Sequence, residues 1–248
     1  MTSETWNILD TGVNSAEENM RIDTDLLENL SDHSQPTLHL YDWKNDCATY
    51  GYFVDPFDFL SKEGVERRKL ELARRPTGGG IIFHMWDFAF SVAVPSHSKY
   101  FSQNTLDNYA FVNNAVLLAA QEFLQTQEKP EIIPDDFAPL DVSCKRFCMA
   151  QPTKYDVVLH GKKIAGAAQR KTKQGFLHQG TISLMMPPKE YLEEVLLQGT
   201  EVLDAMFANT FALMGPSAKI SDLDFSRKKI KHLLTKYLTR EFHDDPES

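Results

Sequence analysis

TKYDVVLHGKKIAGAAQRKTKQGFLHQGTISLMM, residues 153–186, is the stretch from which the fold is read. Two runs rich in Val, Ile, Leu and Ala end at glycine-containing turns around Gly161 and Gly175, and a third run follows. That pattern predicts three strands over about 154–160, 163–170 and 177–185, joined as an antiparallel ribbon. Downstream, apolar residues recur at helical spacing over 188–198, 200–213 and 224–241, the last with Ile230, Leu234, Tyr237 and Leu238 inward. Upstream, Ser15 with Glu18 three residues on marks a helix start, and that helix should run to about Leu30. TLHLYDW (37–43) alternates as a strand, and ATYGYF (48–53) is read as its partner. IIFH (81–84) and FAFSVAVP (88–95) read as a buried hairpin. A long helix should begin at Asn104, with Tyr109, Val112, Val116, Ala120 and Phe123 on one stripe, and stop before Pro130. EIIPDDFAPLDVSCKRFC (131–148) reads as a long loop, of the kind that often carries function. The expected fold class is therefore α/β (α+β): one domain over 1–248, with helices flanking a mixed, mostly antiparallel sheet and an acidic tail at 241–248.

Composition narrows the function. The 248 residues are 42% hydrophobic and 25% charged, as in an ordinary globular chain. No apolar run reaches the roughly 18 residues of a membrane helix, and MTSETWNILD shows no secretory signal. Cys47, Cys144 and Cys148 are odd in number and form no CxxC pair, which points to free thiols, no metal site and the cytoplasm. A net charge of −9 argues against a nucleic-acid partner. Yet RRKLELARR (67–75) and GKKIAGAAQRKTK (161–173) concentrate positive charge beside the glycine-rich places, as a site for an anionic ligand would.

Three local features carry chemistry. Arg74-Arg75-Pro76-Thr77-Gly78-Gly79-Gly80 leads straight into Ile81-Ile82-Phe83-His84. Three glycines remove every Cβ, so the backbone can close on a phosphate, carboxylate or thioester carbonyl, with two guanidinium groups at the entrance. In Gly161-Lys162-Lys163-Ile164-Ala165-Gly166-Ala167-Ala168-Gln169, a turn lysine precedes small residues that leave room for a slender ligand chain. Lysine pairs in turns are more often simply solvated, and the residues alone leave both readings open. Cys148 lies near Lys145, Arg146 and Lys154, cations that favour a thiolate, although a lone cysteine is most often a small buried hydrophobe.

Taken in order, NMRID (19–23), LYDW, YGYF, RRPTGGGIIFH, FAFSV, YDVVLHGKKIAGAAQRK and HQGTISL resemble the lipoate–protein ligase (biotin/lipoate ligase) catalytic-domain family over essentially the whole chain. Biotin ligases resemble it less, because their phosphate loop is interrupted by arginine. The resemblance implies an acyl or adenylate pocket walled by Arg74, Arg75, Thr77, Gly78, Gly79 and Gly80. His84, Gly166, Ala167 and Gln169 would stand at pocket positions, and Lys163 would contact the activated carboxyl group. Family members carry His-Gly-Ser or His-Gly-Thr where this chain has His178-Gln179-Gly180-Thr181, so Gln179 is either inserted or replaces the histidine.

The family runs two chemistries. ATP-dependent ligases form lipoyl-AMP with ATP and Mg, usually carry a further C-terminal domain, and read Arg-Asn-Asp where this chain has Lys154-Tyr155-Asp156. Cysteine-dependent octanoyltransferases have Cys, then Pro, then an aromatic and an acidic residue, as Cys148, Pro152, Tyr155 and Asp156 do here. The resemblance thus favours a Cys148 acyl-enzyme with Lys163 at the carbonyl oxygen, although the full GGG is ligase-like. No cofactor would be held tightly. Octanoyl-carrier thioester, lipoate or octanoate would be the substrate. The partners would be a lipoyl-domain protein (an E2 subunit or the glycine-cleavage H protein) and an acyl carrier protein. A non-catalytic member that binds lipoyl domains is the alternative from another class.

Overall fold

The computed structural model describes residues 4–125, 129–133 and 144–240. The middle of the 131–148 loop and the acidic tail lie outside them. Among the described residues, ten strands form two sheets. The larger contains β1 (Asn7–Asn14), β2 (Thr37–Trp43), β6 (Asp87–Pro95), β7 (Glu131–Ile132), β8 (Val157–Leu159), β9 (Lys162–Lys171) and β10 (Gly175–Ser183), in the order β1-β2-β6-β10-β9-β8-β7. The smaller has the order β4-β3-β5, from β3 (Cys47–Tyr50), β4 (Glu71–Arg74) and β5 (Ile81–His84). Among the described strands, β1–β2 and β3–β4 are the parallel pairs. The predicted ribbon over 154–185 is present as β8, β9 and β10.

Six α-helices among the described residues pack on these sheets: α1 (Ala16–Glu28), α2 (Lys62–Arg68), α3 (Thr105–Leu124), α4 (Lys189–Val195), α5 (Val202–Asn209) and α6 (Leu223–Leu238). Ser15 caps α1, its hydroxyl accepting from the Glu18 N–H, but the Glu18 carboxylate turns to Arg21 instead of closing the box. Asn104 caps α3 in the same way. Helices α3 and α6 cover one face of the large sheet, burying Phe90, Val92, Phe176, Ile182, Ile230 and Leu234. Helix α1 crosses the other face, with Leu27 and Leu30 against Ala93 and Leu177. The small sheet packs beside α1, over a second core built with α2, α4 and α5.

Two readings are corrected. β3 does not partner β2; it lies between β4 and β5, while β2 pairs with β1 and β6. β5 and β6 form no hairpin but belong to different sheets. Arg227 of α6 donates to the carbonyls of Met85 (2.7 Å) and Asp87 (3.0 Å), fixing the two-residue corner at which the chain changes sheet. Ahead of the first predicted helix, β1 is an edge strand whose register shifts between Asp10 and Gly12, where Gly12 takes φ +67°.

Candidate functional site

Between α1, the small sheet and the face of β6, β9 and β10 turned towards them lies a narrow slot. Its walls are apolar at Met20, Ile82, Ala89, Ala167 and Ala168, and polar at Arg75, Thr49, His84, Gln179, Thr181 and Cys148. Small residues on β9 keep it open, as a ligand with a thin chain would need.

The glycine loop builds the mouth by close backbone packing. A Cβ on Gly80 would stand 2.0 Å from the Arg146 carbonyl oxygen, and one on Gly51 would stand 2.0 Å from that of Gly79. Glycine at both places lets the 146–148 segment and the end of β3 lie directly on the loop. The Cys148 N–H donates to the Ile81 carbonyl (3.1 Å), which brings the thiol over the loop. A Cβ built on Gly79 would sit 3.7 Å from Cys148 Sγ, 3.6 Å from Ala168 Cβ and 3.3 Å from Arg75 Nη2. Loop, cysteine, arginine and β9 therefore meet at one point. Cys47 and Cys144 are buried elsewhere, with burial pushing the Cys47 thiol well up, while Cys148 is half-buried.

The two arginines of the motif part company. Arg74 is exposed and stacks on Tyr52, its guanidinium carbon 4.7 Å from the ring centre, so it does not enter the slot. Arg75 is 4% exposed and turns inward. Its Nη1 donates to the Thr49 carbonyl and hydroxyl, and its Nη2 to the carbonyls of Gly78 and Gly80. Burial pushes its pKa below the ordinary arginine value, against the pull of the neighbouring Cys148 sulfur. Adjacent strand residues face opposite ways, so one arginine of the pair had to leave.

A chain of hydrogen bonds runs inward from Arg75. Thr49 Oγ1 lies 2.8 Å from His84 Nε2, and His84 Nδ1 lies 2.6 Å from Asp87 Oδ2, which also accepts from Thr181. Trp43 stacks on the His84 ring at 4.4 Å. A second network holds Gln179: its Nε2 donates to Asp23 (2.6 Å) and its Oε1 accepts from Thr77 (2.6 Å). Asp23 also accepts from His39 and Ser91. The register of β10 with β6 and β9 is unbroken across His178–Thr181, so Gln179 faces the slot and His178 the opposite side of the sheet.

Lys163 is 2% exposed and not a solvated turn residue. Its Nζ pairs with Asp156 at 2.6 Å. Gly166 makes room for it: a Cβ there would lie 2.4 Å from Lys163 Cε and 2.7 Å from Nζ. Gly166 is paired with Thr181, a slot residue, so the ammonium lies on the slot's side of the sheet. Gln169 does not: it is paired with His178 and faces α3, opposite Gln179. Tyr41, Thr49, Asp23 and Asp87 were given no role from sequence, and Asp156 only a place in the pattern that follows Cys148. Asp23 lies in the NMRID run, Tyr41 in LYDW and Thr49 in ATYGYF, none of which marks the individual residue.

The family model of the lipoyl protein ligase A/B catalytic domain matches residues 15–231. The octanoyltransferase LipM of Carboxydothermus hydrogenoformans is 26% identical over 229 residues, covering 92% of this chain and 83% of that protein. The LipM of Bacillus subtilis is 26% identical over 218 residues, covering 84% and 76%. Among solved structures, the bipartite lipoate protein ligase of Thermoplasma acidophilum, studied with its E2 lipoyl domain, superposes with a TM-score of 0.69 at 19% identity, covering 99% of this chain and 87% of that one. Lipoate-protein ligase A bound with ATP gives 0.64 at 17%, covering 96% and 95%.

Proposed function

The chain belongs to the lipoyl protein ligase A/B catalytic-domain family, and from that premise we propose that it transfers an octanoyl or lipoyl group to the acceptor lysine of a lipoyl-domain protein through a thioester on Cys148. One observation carries this reading: of three cysteines, the half-buried one borders the slot, beside the glycine loop and the small residues of β9. The Cys148 thiolate attacks the carbonyl carbon of an acyl-carrier thioester, forming a carbon–sulfur bond and pushing an electron pair onto oxygen. Collapse expels the carrier thiolate, which takes a proton from solvent. The neutral amine of the acceptor lysine then attacks the acyl-enzyme, loses a proton, and Cys148 leaves as thiolate. One thioester replaces another before the amide forms, so ATP is not consumed. Lys163, steadied by Asp156, is assigned to the carbonyl oxygen, and the apolar slot to the acyl chain.

Intact-mass measurement after offering an octanoyl-carrier thioester tests this directly. The enzyme should gain one octanoyl mass, removable by hydroxylamine, and Cys148→Ala should gain none while transfer to a lipoyl domain falls at least about a thousandfold. Undiminished transfer by Cys148→Ala that requires ATP and Mg would replace this reading with lipoate ligation through an acyl-adenylate. Binding of octanoate or lipoyl domain without transfer under either condition would leave a non-catalytic binder.

A further inference from the structure

Two buried cations serve this site, and they are balanced differently. Lys163 has a carboxylate, Asp156, at 2.6 Å. Among the described residues Arg75 has none: its Nη donors end on the carbonyls of Thr49, Gly78 and Gly80 and on the Thr49 hydroxyl, and its Nε has no partner there. A guanidinium cannot shed its proton in a protein, so at 4% exposure its charge needs an anion nearby. The atoms at hand are those around Gly79, where Nη2 and Cys148 Sγ flank the same position at 3.3 and 3.7 Å.

We infer that Arg75 is the counter-ion of the Cys148 thiolate, a positioning and charge-balancing residue that keeps the nucleophile ionised before the acyl group arrives. The assignment rests on the Cys148 reading above and divides the labour of the two cations. Lys163, already neutralised by Asp156, is not needed to hold the sulfur. When the thioester forms, the sulfur loses its charge and Arg75 is left with an unmatched cation at the slot mouth. That surplus favours the return of negative charge to sulfur as the amine attacks, and so makes Cys148 a good leaving group. The GGG loop fits this role, because its carbonyls grip the guanidinium without supplying the missing charge.

The other titratable groups sharing the slot are Tyr41 of β2 and His84 of β5, with Tyr109 of α3 close to both Cys148 and Arg75 and the Lys163–Asp156 pair along β9. The test is the pH dependence of Cys148 alkylation by iodoacetamide, followed at the Cys148 peptide by mass spectrometry. In the wild-type chain the midpoint should fall at least about one pH unit below the ordinary cysteine value of about 8.5. Arg75→Gln should raise it by about one unit or more, with alkylation at pH 7 slowed up to roughly tenfold, while Arg75→Lys should keep most of the depression. A wild-type midpoint at or above about 8.5 overturns the assignment without any variant, which covers the case in which Arg75→Gln does not fold. An unmoved midpoint in a folded Arg75→Gln overturns it as well. Acyl-enzyme formation, measured on the same samples, separates the two claims. A normal octanoyl adduct with an unshifted midpoint removes Arg75's role and leaves the transferase standing. A shifted midpoint with no adduct keeps the ion pair and removes the transferase.

Discussion

β10 has two faces that differ in how their polar groups are served. On the slot face, Gln179 and Thr181 are tied into carboxylate networks through Asp23 and Asp87. On the helix face one residue away, His178 lies among Phe90 and Tyr109 with both ring nitrogens unpartnered among the described residues, and its cross-strand neighbour Gln169 has neither amide atom bonded. Buried polar groups normally find partners. The side facing the slot is held in one arrangement, and the side facing α3 is merely enclosed. A catalytic surface that must present fixed geometry needs the first condition, since an unanchored amide could turn either way.

The largest effect should come from cutting the slot-face network at its hub. Asp23 accepts from His39, Ser91 and Gln179 with no exposure to water. Asp23→Ala strands all three donors and should cost about 3–5 kcal/mol, seen as a lower urea midpoint at unchanged slope. A loss below about 1 kcal/mol would mean the slot face is no better anchored than the other. A smaller cut sharpens the contrast. Gln179→Leu leaves one Asp23 oxygen and the Thr77 hydroxyl without a partner, which should cost about 1–3 kcal/mol and loosen the glycine loop. Slower octanoyl transfer should accompany the lower urea midpoint. Full activity at wild-type stability would show that Gln179 is not what fixes the loop.

The same contrast separates what the sequence disclosed from what it hid. Strands β8 to β10, the Ser15 and Asn104 caps and the glycine loop were legible because their signals are local: turn residues, alternation and a side chain reaching two or three residues ahead. Arg74 and Arg75 were read as one unit, although strand alternation alone would have split them. The change of sheet at Met85–Trp86 was hidden, because a two-residue corner between apolar runs looks like a hairpin turn and the arginine that fixes it is about 140 residues away. Asp23, His39 and Ser91 were likewise invisible as a set, since nothing in their spacing announces that α1, β2 and β6 meet there. That Gln179 and not His178 faces the slot became decidable only from the pairing of β10 on both edges.

The helix face offers the last and smallest test, and its sign is opposite. Burial pushes the His178 pKa down to about 3, against about 6.5 for a free imidazole. The folded protein therefore keeps His178 neutral at pH values where the unfolded chain binds a proton. Stability from this residue is complete above about pH 6.5 and is lost as the pH falls from there toward about 3. Between pH 7.5 and 5.5 the loss should be about 1.4 kcal/mol. His178→Leu removes an unpartnered polar ring and fills the site with an apolar side chain, so it should be close to neutral at pH 7.5. At pH 5.5 the variant should be the more stable protein by about that same 1.4 kcal/mol, because all other titrating groups are common to both chains. Urea unfolding at the two pH values measures the difference. Parallel losses in the two proteins would show that His178 takes up a proton in the folded state, and that the helix face is as well provided with partners as the slot.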